Sequence, residues 1–317
     1  MSVEPVRVER HDATQVALRA AIEQVNQVVF GKRAQINLAF ACLLAGGHLL
    51  IEDVPGVGKT TLAHAMATSL GLSYQRIQFT SDLLPSDILG VSIFDRDTGQ
   101  FRFHAGPIFA QLVLADEINR ATPKTQSALL EAMAEQQVTA DGESRPLPQP
   151  FLVVATQNPV DLAGTFPLPD SQLDRFLMRI SLGYPDAEGE RQMLAACDRR
   201  ELLTQLGPRL DSAQLLEIRH RVAHVATSAA LIDYVQRLLA ATRLHAQIRI
   251  GLSPRAGLAV LATARAVSFL GGRGHVLPED VQAVFAAVAA HRLVPASEAT
   301  LARTALADEV VRAVRVD

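Results

Sequence analysis

Basic residues are not in excess in this 317-residue sequence: 30 lysines and arginines face 33 aspartates and glutamates, for a formal net charge of −3. A protein whose main partner is a phosphate backbone usually carries a basic surplus. Cysteine is also scarce, since Cys42 and Cys197 are the only two and form no C-x-x-C pair. We therefore expect no nucleic-acid partner, no structural metal, and two free thiols in a reducing compartment.

Long apolar runs are missing as well. The longest, at 39–46 and 281–290, are far shorter than the roughly 20 residues that cross a bilayer. The first twelve residues are charged and lack the apolar centre of a signal peptide. These features predict a soluble, cytoplasmic protein without direct membrane insertion.

Apolar periodicity predicts helices over residues 13–29 and 34–45. Three short apolar runs then follow, each leading straight into polar residues, at 48–51, 112–115 and 151–156. Continuous apolar runs are typical of parallel strands buried on both faces. Because these runs alternate with helical segments, they predict an α/β layered domain, in which ligands bind at the carboxyl ends of the strands.

Two further segments predict β-hairpins. The segment 93–103 contains the turn Asp97-Thr98-Gly99, and 137–147 contains Asp141-Gly142, a strong hairpin signal. From residue 187 onward the pattern is almost entirely helical. We therefore predict an α/β domain over 1–184, a connecting helical segment over 185–205 and a helical domain over 206–317.

A phosphate-binding loop, or P-loop, is predicted at residues 53–60, between the first strand and a helix. Gly56 and Gly58 have no side chain, so backbone N–H groups can close on phosphate oxygens, and the helix N-terminus adds positive dipole. In this context Lys59 reaches the β- and γ-phosphates, and the Thr60 hydroxyl ligates Mg²⁺.

The loop departs from the usual pattern at one position. Asp53 lies five residues before Gly58, where a glycine is usual. A carboxylate there restricts the backbone and is expected to lie near an anionic ligand.

Polar residues follow the other two apolar runs. Asp116 and Glu117 end the second, and Asn158 comes shortly after the third. Asp116 fits the acid that holds Mg²⁺, and Glu117 fits a general base that polarises the attacking water. The Asn158 amide could orient that water. The three residues together predict hydrolysis of a nucleoside triphosphate.

These motifs resemble those of AAA+ ATPases and, among them, the MoxR family of the helix-2-insert group. The resemblance to MoxR proteins rests on residues 52–60, 103–109, 116–121 and 183–185 and covers nearly the whole chain. It implies a P-loop NTPase fold: a three-layer αβα sandwich with a parallel sheet, followed by an all-α lid domain. The two hairpins would then face the pore of a ring or the partner surface.

The resemblance also implies roles for individual residues. Asn158 corresponds to sensor 1, Arg175 to the arginine finger supplied to a neighbouring subunit, and Arg255, which follows the helix-starting pair Ser253-Pro254, to sensor 2. Contacts to ATP are implied for Val29, Gly31, Pro55, Gly56, Val57, Gly58, Lys59, Thr60, Thr61, Asp116 and Arg120, with Thr60 and Asp116 as the Mg²⁺ ligands. Structural roles are expected for Arg179, Arg273 and the segment 291–293.

The activity implied is Mg²⁺-dependent ATP hydrolysis by a ring, expected to be a hexamer, that remodels client proteins such as those with a von Willebrand A domain. Arg120 is a further candidate for reaching across the subunit interface. Two alternatives stay open. A metal-chelatase-type or GTP-using motor subunit would differ in nucleotide and partner. A nucleotide-switched binding module would lack significant hydrolysis, and the acidic pair argues against it.

Overall fold

The computed structural model describes residues 6–159, 164–195, 199–297 and 302–316. Cys197 lies outside these ranges. Within them, no helix combines the length and the apolarity needed to cross a bilayer.

The first part of the chain alternates helices with strands. In chain order its elements are α1 (Val6–Asn26), α2 (Arg33–Leu44), β1 (Leu49–Glu52), α3 (Lys59–Ser69), β2 (Tyr74–Gln78), α4 (Pro85–Leu89), β3 (Gly90–Asp95), β4 (Gln100–Ala105), β5 (Leu112–Asp116), α5 (Pro123–Glu135), β6 (Gln137–Ala140), β7 (Glu143–Pro146), β8 (Leu152–Gln157), α6 (Asp170–Leu173) and β9 (Met178–Ile180). Five of the strands form one parallel sheet in the order β2-β5-β8-β1-β9.

The sheet is buried on both faces because its strands send alternate apolar side chains to two different cores. On β5, Leu112 and Leu114 pack into the core shared with α1, α2 and α3. Val113 and Ala115 pack into a second core with α5. The predicted three-layer αβα sandwich is confirmed.

Both predicted hairpins are present. β3 pairs with β4 around a turn at 96–99, and β6 pairs with β7 around Asp141-Gly142. Asp141 and Gly142 have φ of 54° and 79°, as a two-residue hairpin turn requires. The hairpins contact each other, since the Ser92 hydroxyl donates to Asp141 and the Arg145 guanidinium lies 4.1 Å from the centre of the Phe103 ring.

The remainder is helical apart from one pair of short strands. Its elements are α7 (Ala187–Ala195), α8 (Arg199–Thr204), α9 (Ser212–Ala223), α10 (Ala229–Leu244), β10 (Ile248–Ile250), α11 (Pro254–Leu270), α12 (Pro278–Ala289), β11 (Val294–Pro295) and α13 (Arg303–Ala313). Residues of α9 to α13 share a continuous core with α2. The Arg219 Nε also donates to the Leu43 carbonyl at the end of α2, at 2.9 Å. The helical lid is thereby joined firmly to the sandwich.

The sequence expectations differ from the structure at the start of the first helix and at four strands, because β10 and β11 were not expected in an all-α lid. The first helix begins at Val6 rather than at residue 13, and the edge strands β2 and β9 were not predicted. β2 buries only Ile77, and β9 has three residues, so neither shows an apolar run. The proposed domain boundary near residue 184 stays a prediction.

Candidate active site

The loop after β1 turns at glycines and ends at a helix N-terminus. Gly56 and Gly58 have φ of 86° and 98°, in the left-handed region that favours glycine. A Cβ at either position would meet no atom within 4 Å, so backbone conformation and not space requires glycine. Gly58 is the N-cap of α3, which begins at Lys59. The loop therefore offers unpaired N–H groups beside the positive end of a helix dipole.

Nine of the predicted site residues line one cavity of about 290 Å³. They come from the loop after β1, the start of α3 and the ends of β5 and β8: Pro55, Gly56, Gly58, Lys59, Thr60, Thr61, Asp116, Glu117 and Asn158. These ends meet because β5 and β1 both pair in parallel with β8. The parallel sheet thus brings the predicted phosphate, metal and water ligands together.

Lys59 lies between the loop and the end of β8. Its Nζ donates to the Asp53 carbonyl at 2.5 Å and to the Gln157 carbonyl at 3.3 Å. Burial lowers the pKa of the Lys59 ammonium, although the negative charges of Asp53, Asp116 and Glu117 oppose that shift. The two carbonyl acceptors hold the Lys59 ammonium at the cavity wall.

Both carboxylate oxygens of Asp116 accept hydrogen bonds. Oδ1 accepts from the Thr156 hydroxyl at 2.6 Å, and Oδ2 accepts from Arg76 Nε and a terminal Arg76 nitrogen at 3.0 and 2.7 Å. Arg76 and Thr156 were not predicted as site residues from the sequence. Arg76 and Gln78 lie two residues apart on β2 and so share one face of the sheet. That spacing would have been informative had β2 been identified.

Glu117 has a left-handed backbone, with φ of 57°, directly after β5. Its Oε2 accepts from Arg120 Nε at 2.8 Å and from the Gln78 amide at 3.1 Å. Its N–H donates to the Thr156 hydroxyl at 2.9 Å. One buried hydroxyl thus orients both acidic residues, and Arg120 contacts the predicted general base within the same subunit.

A second, narrow cleft adjoins the cavity and shares Gly58 and Thr61 with it. Its volume is only about 10 Å³, and its walls are mostly apolar: Val28, Val29, Phe30, Lys32, Val57, Gly58, Thr61, Pro185 and Met193. The predicted residues Val29 and Val57 lie in this wall. Gly31, with φ of 66°, follows Phe30 and packs against Asp186 and Gly189. The expected contacts of Val29, Gly31 and Val57 with ATP stay a prediction.

The Asp53 side chain does not line the cavity, and the expected nearness of its carboxylate to a ligand stays a prediction. Asp53 is buried, and its Oδ2 accepts from the Ser181 hydroxyl at 2.8 Å and from the Gly183 N–H at 2.6 Å. Burial alone would raise the pKa of this carboxyl group, but the hydrogen bonds, led by that from Gly183, hold it below its usual value. Asp53 therefore fastens the loop to the segment after β9.

Arg175 and Arg255 lie outside the cavity. Arg175 is exposed, and one of its terminal nitrogens donates to the Leu130 carbonyl at 2.7 Å. Arg255, near the start of α11, is 3.7 Å from Asp174 Oδ2, with 74% of its side chain exposed. The Ser253 hydroxyl caps α11 as predicted. Arg255 therefore contacts the residue that precedes Arg175 in the chain.

The residues expected to be structural have ion-pair or backbone partners. Arg179 contacts Glu52 at 2.8 Å, and Arg273 pairs with Asp280 at the start of α12. His291 Nε2 lies 3.1 Å from the Phe176 carbonyl, and both His291 and the Arg292 side chain are buried.

Comparison with known proteins agrees with this geometry. A family model described as "ATPase family associated with various cellular activities (AAA)" matches residues 48–178, and an AAA lid domain matches residues 240–313. The Bacillus subtilis protein YeaC is 43% identical, with 94% of each chain covered. Chaperone MoxR1 of Mycobacterium tuberculosis is 41% identical, over 92% of this chain and 78% of its own length.

A solved structure shows the same fold over nearly the whole chain. It is a protein of Cytophaga hutchinsonii, described as a candidate ATPase, with a TM-score of 0.89, 36% identity and 98% of each chain covered. Protein MoxR of Paracoccus denitrificans is 36% identical over 87% of this chain. With its P-loop, acidic pair and helical lid, this chain belongs to the MoxR family of AAA+ ATPases.

Proposed function

We propose that this chain hydrolyses ATP with Mg²⁺ in the 290 Å³ cavity and uses the energy, as a ring, to remodel partner proteins. One observation carries the proposal: Lys59, Thr60, Asp116, Glu117 and Asn158 all line that cavity. These are the side chains that phosphoryl transfer to water needs for charge stabilisation, metal binding and orientation of the nucleophile. Because ATP is the substrate, the cytoplasm is the proposed compartment.

The cavity offers suitable ligands for Mg²⁺. Thr60 and Asp116 contribute a hydroxyl and a carboxylate, the hard oxygen ligands that Mg²⁺ prefers, and both line the cavity. Bound Mg²⁺ would neutralise charge on the phosphate oxygens. Asp116 would have to exchange its Arg76 contact for the ion, whereas its bond from Thr156 could stay in place.

Lysine substitution tests nucleotide use. The chain has three lysines, and Lys124 on α5 is exposed and outside the cavity. We expect Lys59→Ala to abolish ATP binding and phosphate release, while Lys124→Ala keeps both. Parallel assays with GTP separate ATP use from a GTP-using motor. Normal turnover by Lys59→Ala would contradict the proposal, and turnover with GTP alone would contradict the choice of ATP.

We further propose that the active site is completed by a neighbouring subunit, in a hexamer. This is supported by the exposure of Arg175 and Arg255 and by their location outside the cavity of their own chain. An arginine finger supplied in trans raises the rate by roughly 10³- to 10⁵-fold. We therefore expect ATPase activity per subunit to rise with protein concentration. If the activity per subunit is the same above and below the protein concentration at which the ring dissociates, the active site is not completed by a neighbouring subunit.

The β3–β4 hairpin is the surface we propose for client contact. Phe94 and Phe101 form an edge-to-face pair 5.3 Å apart, with 51% and 74% of their surfaces exposed. MoxR1 is named a chaperone, and clients with a von Willebrand A domain are one expectation of the family resemblance. The test is retention of such a domain by ATP-loaded protein. Retention unaffected by Phe94→Ser plus Phe101→Ser would remove the hairpin from the contact.

A further inference from the structure

Several lid side chains hold the segment that carries Arg175. We call residues 170–177, from the start of α6 to the residue before β9, the finger segment. The central lid residue is Arg292, which follows α12 in a short 3-10 turn. Only 8% of its side chain is exposed, although it is charged. A charge buried to this degree normally has a complete set of partners.

Every N–H of the Arg292 guanidinium can be assigned to an acceptor. Nε donates to Asp174 Oδ1 at 2.7 Å. One terminal nitrogen donates to the Leu177 carbonyl at 3.1 Å and to the Val288 carbonyl. The other donates to the carbonyls of Asp174 and Phe176, at 3.3 and 2.8 Å. Arginine has five donors and lysine three, so only arginine satisfies all five acceptors.

Four of those five acceptors lie on the finger segment, on Asp174 before Arg175 and on Phe176 and Leu177 after it. The Phe176 carbonyl is also 3.1 Å from Nε2 of the neighbouring lid residue His291. At the other end of the finger segment, Arg303 donates to Asp170 Oδ1 at 2.9 Å. The backbone that carries Arg175 is thus held at both ends by the lid.

We propose that Arg292 is a positioning residue for Arg175. Arg292 fixes the backbone on both sides of Arg175 and so sets the direction in which the Arg175 side chain projects from the subunit surface. Because Arg292 belongs to the lid, that direction changes when the lid moves. Removing a guanidinium from water costs free energy, and a well-packed apolar side chain at the same position often gives a protein equal stability. The arginine differs from such a side chain because its hydrogen bonds fix the geometry of the finger segment. The inference rests on the proposed role of Arg175 at a neighbour's ATP.

The first test separates positioning from binding. In Arg292→Gln we expect the affinity for a fluorescent ATP analogue to stay within about threefold of wild type and kcat to fall by about tenfold or more. Arg292→Lys should not restore kcat. The matched control is Arg273→Gln, which breaks another lid arginine–aspartate pair, that with Asp280. It should leave both quantities near wild type. Equal losses in both glutamine variants would overturn the proposal.

The second test uses mixed rings, made by co-expression of two differently tagged subunits. The reference ring combines Lys59→Ala with Arg175→Ala subunits. At roughly a quarter of the interfaces of a random ring, the Arg175→Ala subunit supplies an intact ATP-binding loop and the Lys59→Ala subunit supplies an intact Arg175. Rings of Arg292→Gln and Lys59→Ala subunits should regain activity. Rings of Arg292→Gln and Arg175→Ala subunits should not, because both substitutions impair the side of the interface that carries Arg175. A purely structural defect in the variant's own ATP site predicts the reverse pattern, which would overturn the proposal.

The reference ring keeps the two proposals distinguishable. If Lys59→Ala and Arg175→Ala do not complement each other, the finger role of Arg175 fails, whatever Arg292 does. If Arg292→Gln does not fold, Asp174→Ala takes its place in both tests, because alanine removes the side-chain acceptor of Arg292 Nε and leaves the backbone acceptors. Asp174 Oδ2 also lies 3.7 Å from Arg255, so Arg255→Ala is measured beside it. Wild-type kcat in a folded Asp174→Ala ring would overturn the positioning role.

Discussion

Thr156 links the two acidic residues of the cavity through a single hydroxyl. The hydroxyl donates to Asp116 Oδ1 and accepts from the Glu117 N–H, and the residue is fully buried. Because the group is both donor and acceptor, no apolar side chain can replace it without leaving two polar groups unpaired. Thr156 therefore helps to fix the orientation of Glu117.

Thr156→Val tests this role, because valine keeps the shape and removes the hydroxyl. We expect a loss of stability of about 1–3 kcal/mol, from two unsatisfied buried groups. Each 1.4 kcal/mol of misalignment at Glu117 would lower kcat about tenfold. Thr156→Ser keeps the hydroxyl and should retain most of the activity. Wild-type kcat in the valine variant, measured by phosphate release, would contradict the assignment.

His48 at the start of β1 is buried and neutral. Its Nδ1 accepts from the Val153 N–H at 3.0 Å, and Nε2 lies 3.2 Å from the Met133 carbonyl, which fixes the proton on Nε2. Burial lowers the pKa of His48 from 6.5 to about 4, against the opposing effect of the Met133 hydrogen bond. Between these two pH values the unfolded chain binds a proton at His48 that the folded chain does not.

Stability should therefore fall as the pH drops from 6.5 towards 4. For His48 alone, we expect the free energy of unfolding to be about 2 kcal/mol lower at pH 5 than at pH 7. His48→Gln keeps an acceptor for Val153 and removes this titration. Urea unfolding at both pH values should show a smaller pH difference in the variant, while an unchanged difference would contradict a neutral buried His48. Buried His291, whose pKa burial also lowers, will preserve part of the slope.

At the scale of elements, the loop after β1 and the segment after β9 act as one unit through Asp53. A glycine at this position would match the more usual loop pattern, yet it would remove the acceptor of Ser181 and Gly183. The loop would then lose its attachment to the far edge of the sheet.

We expect Asp53→Gly to lower the free energy of unfolding by about 1–3 kcal/mol, since buried hydrogen bonds are lost and a flexible residue is gained. The ATP affinity should fall as well. Asp97→Asn, in the exposed β3–β4 turn, is the control and should leave both unchanged. Thermal unfolding and ATP titration measure the two effects, and a variant as stable as wild type would show that the attachment is not needed.

The sequence predicts the central elements of the fold better than the edges. The runs that became β1, β5 and β8 are buried on both faces, so their apolar character shows in the residues. β2 exposes most of its side chains and gives no such signal. Missing β2 also concealed Arg76 and Gln78, because their contacts with the acidic pair follow only from the pairing of β2 with β5.

At the scale of the whole molecule, the position of Arg255 depends on how the lid packs on the sandwich. The motif residues of the cavity could be predicted together because the ends of parallel strands meet at one edge of the sheet. The direction of the Arg255 side chain could not be predicted, because this direction depends on how the lid packs on α2 and on where Asp174 lies. No local pattern of apolar residues encodes that packing.

The proposed function depends on one cavity that binds ATP and cleaves it with Glu117 as the base. The most direct measurement is phosphate release together with ATP-binding calorimetry on Glu117→Gln, with Glu131→Gln, exposed on α5, as the matched control. We predict that Glu117→Gln binds ATP with near-wild-type heat and affinity but turns over roughly 10²- to 10⁴-fold more slowly, while the control behaves as wild type. Near-normal turnover in Glu117→Gln, or no heat of ATP association in the wild type, would contradict the proposed function.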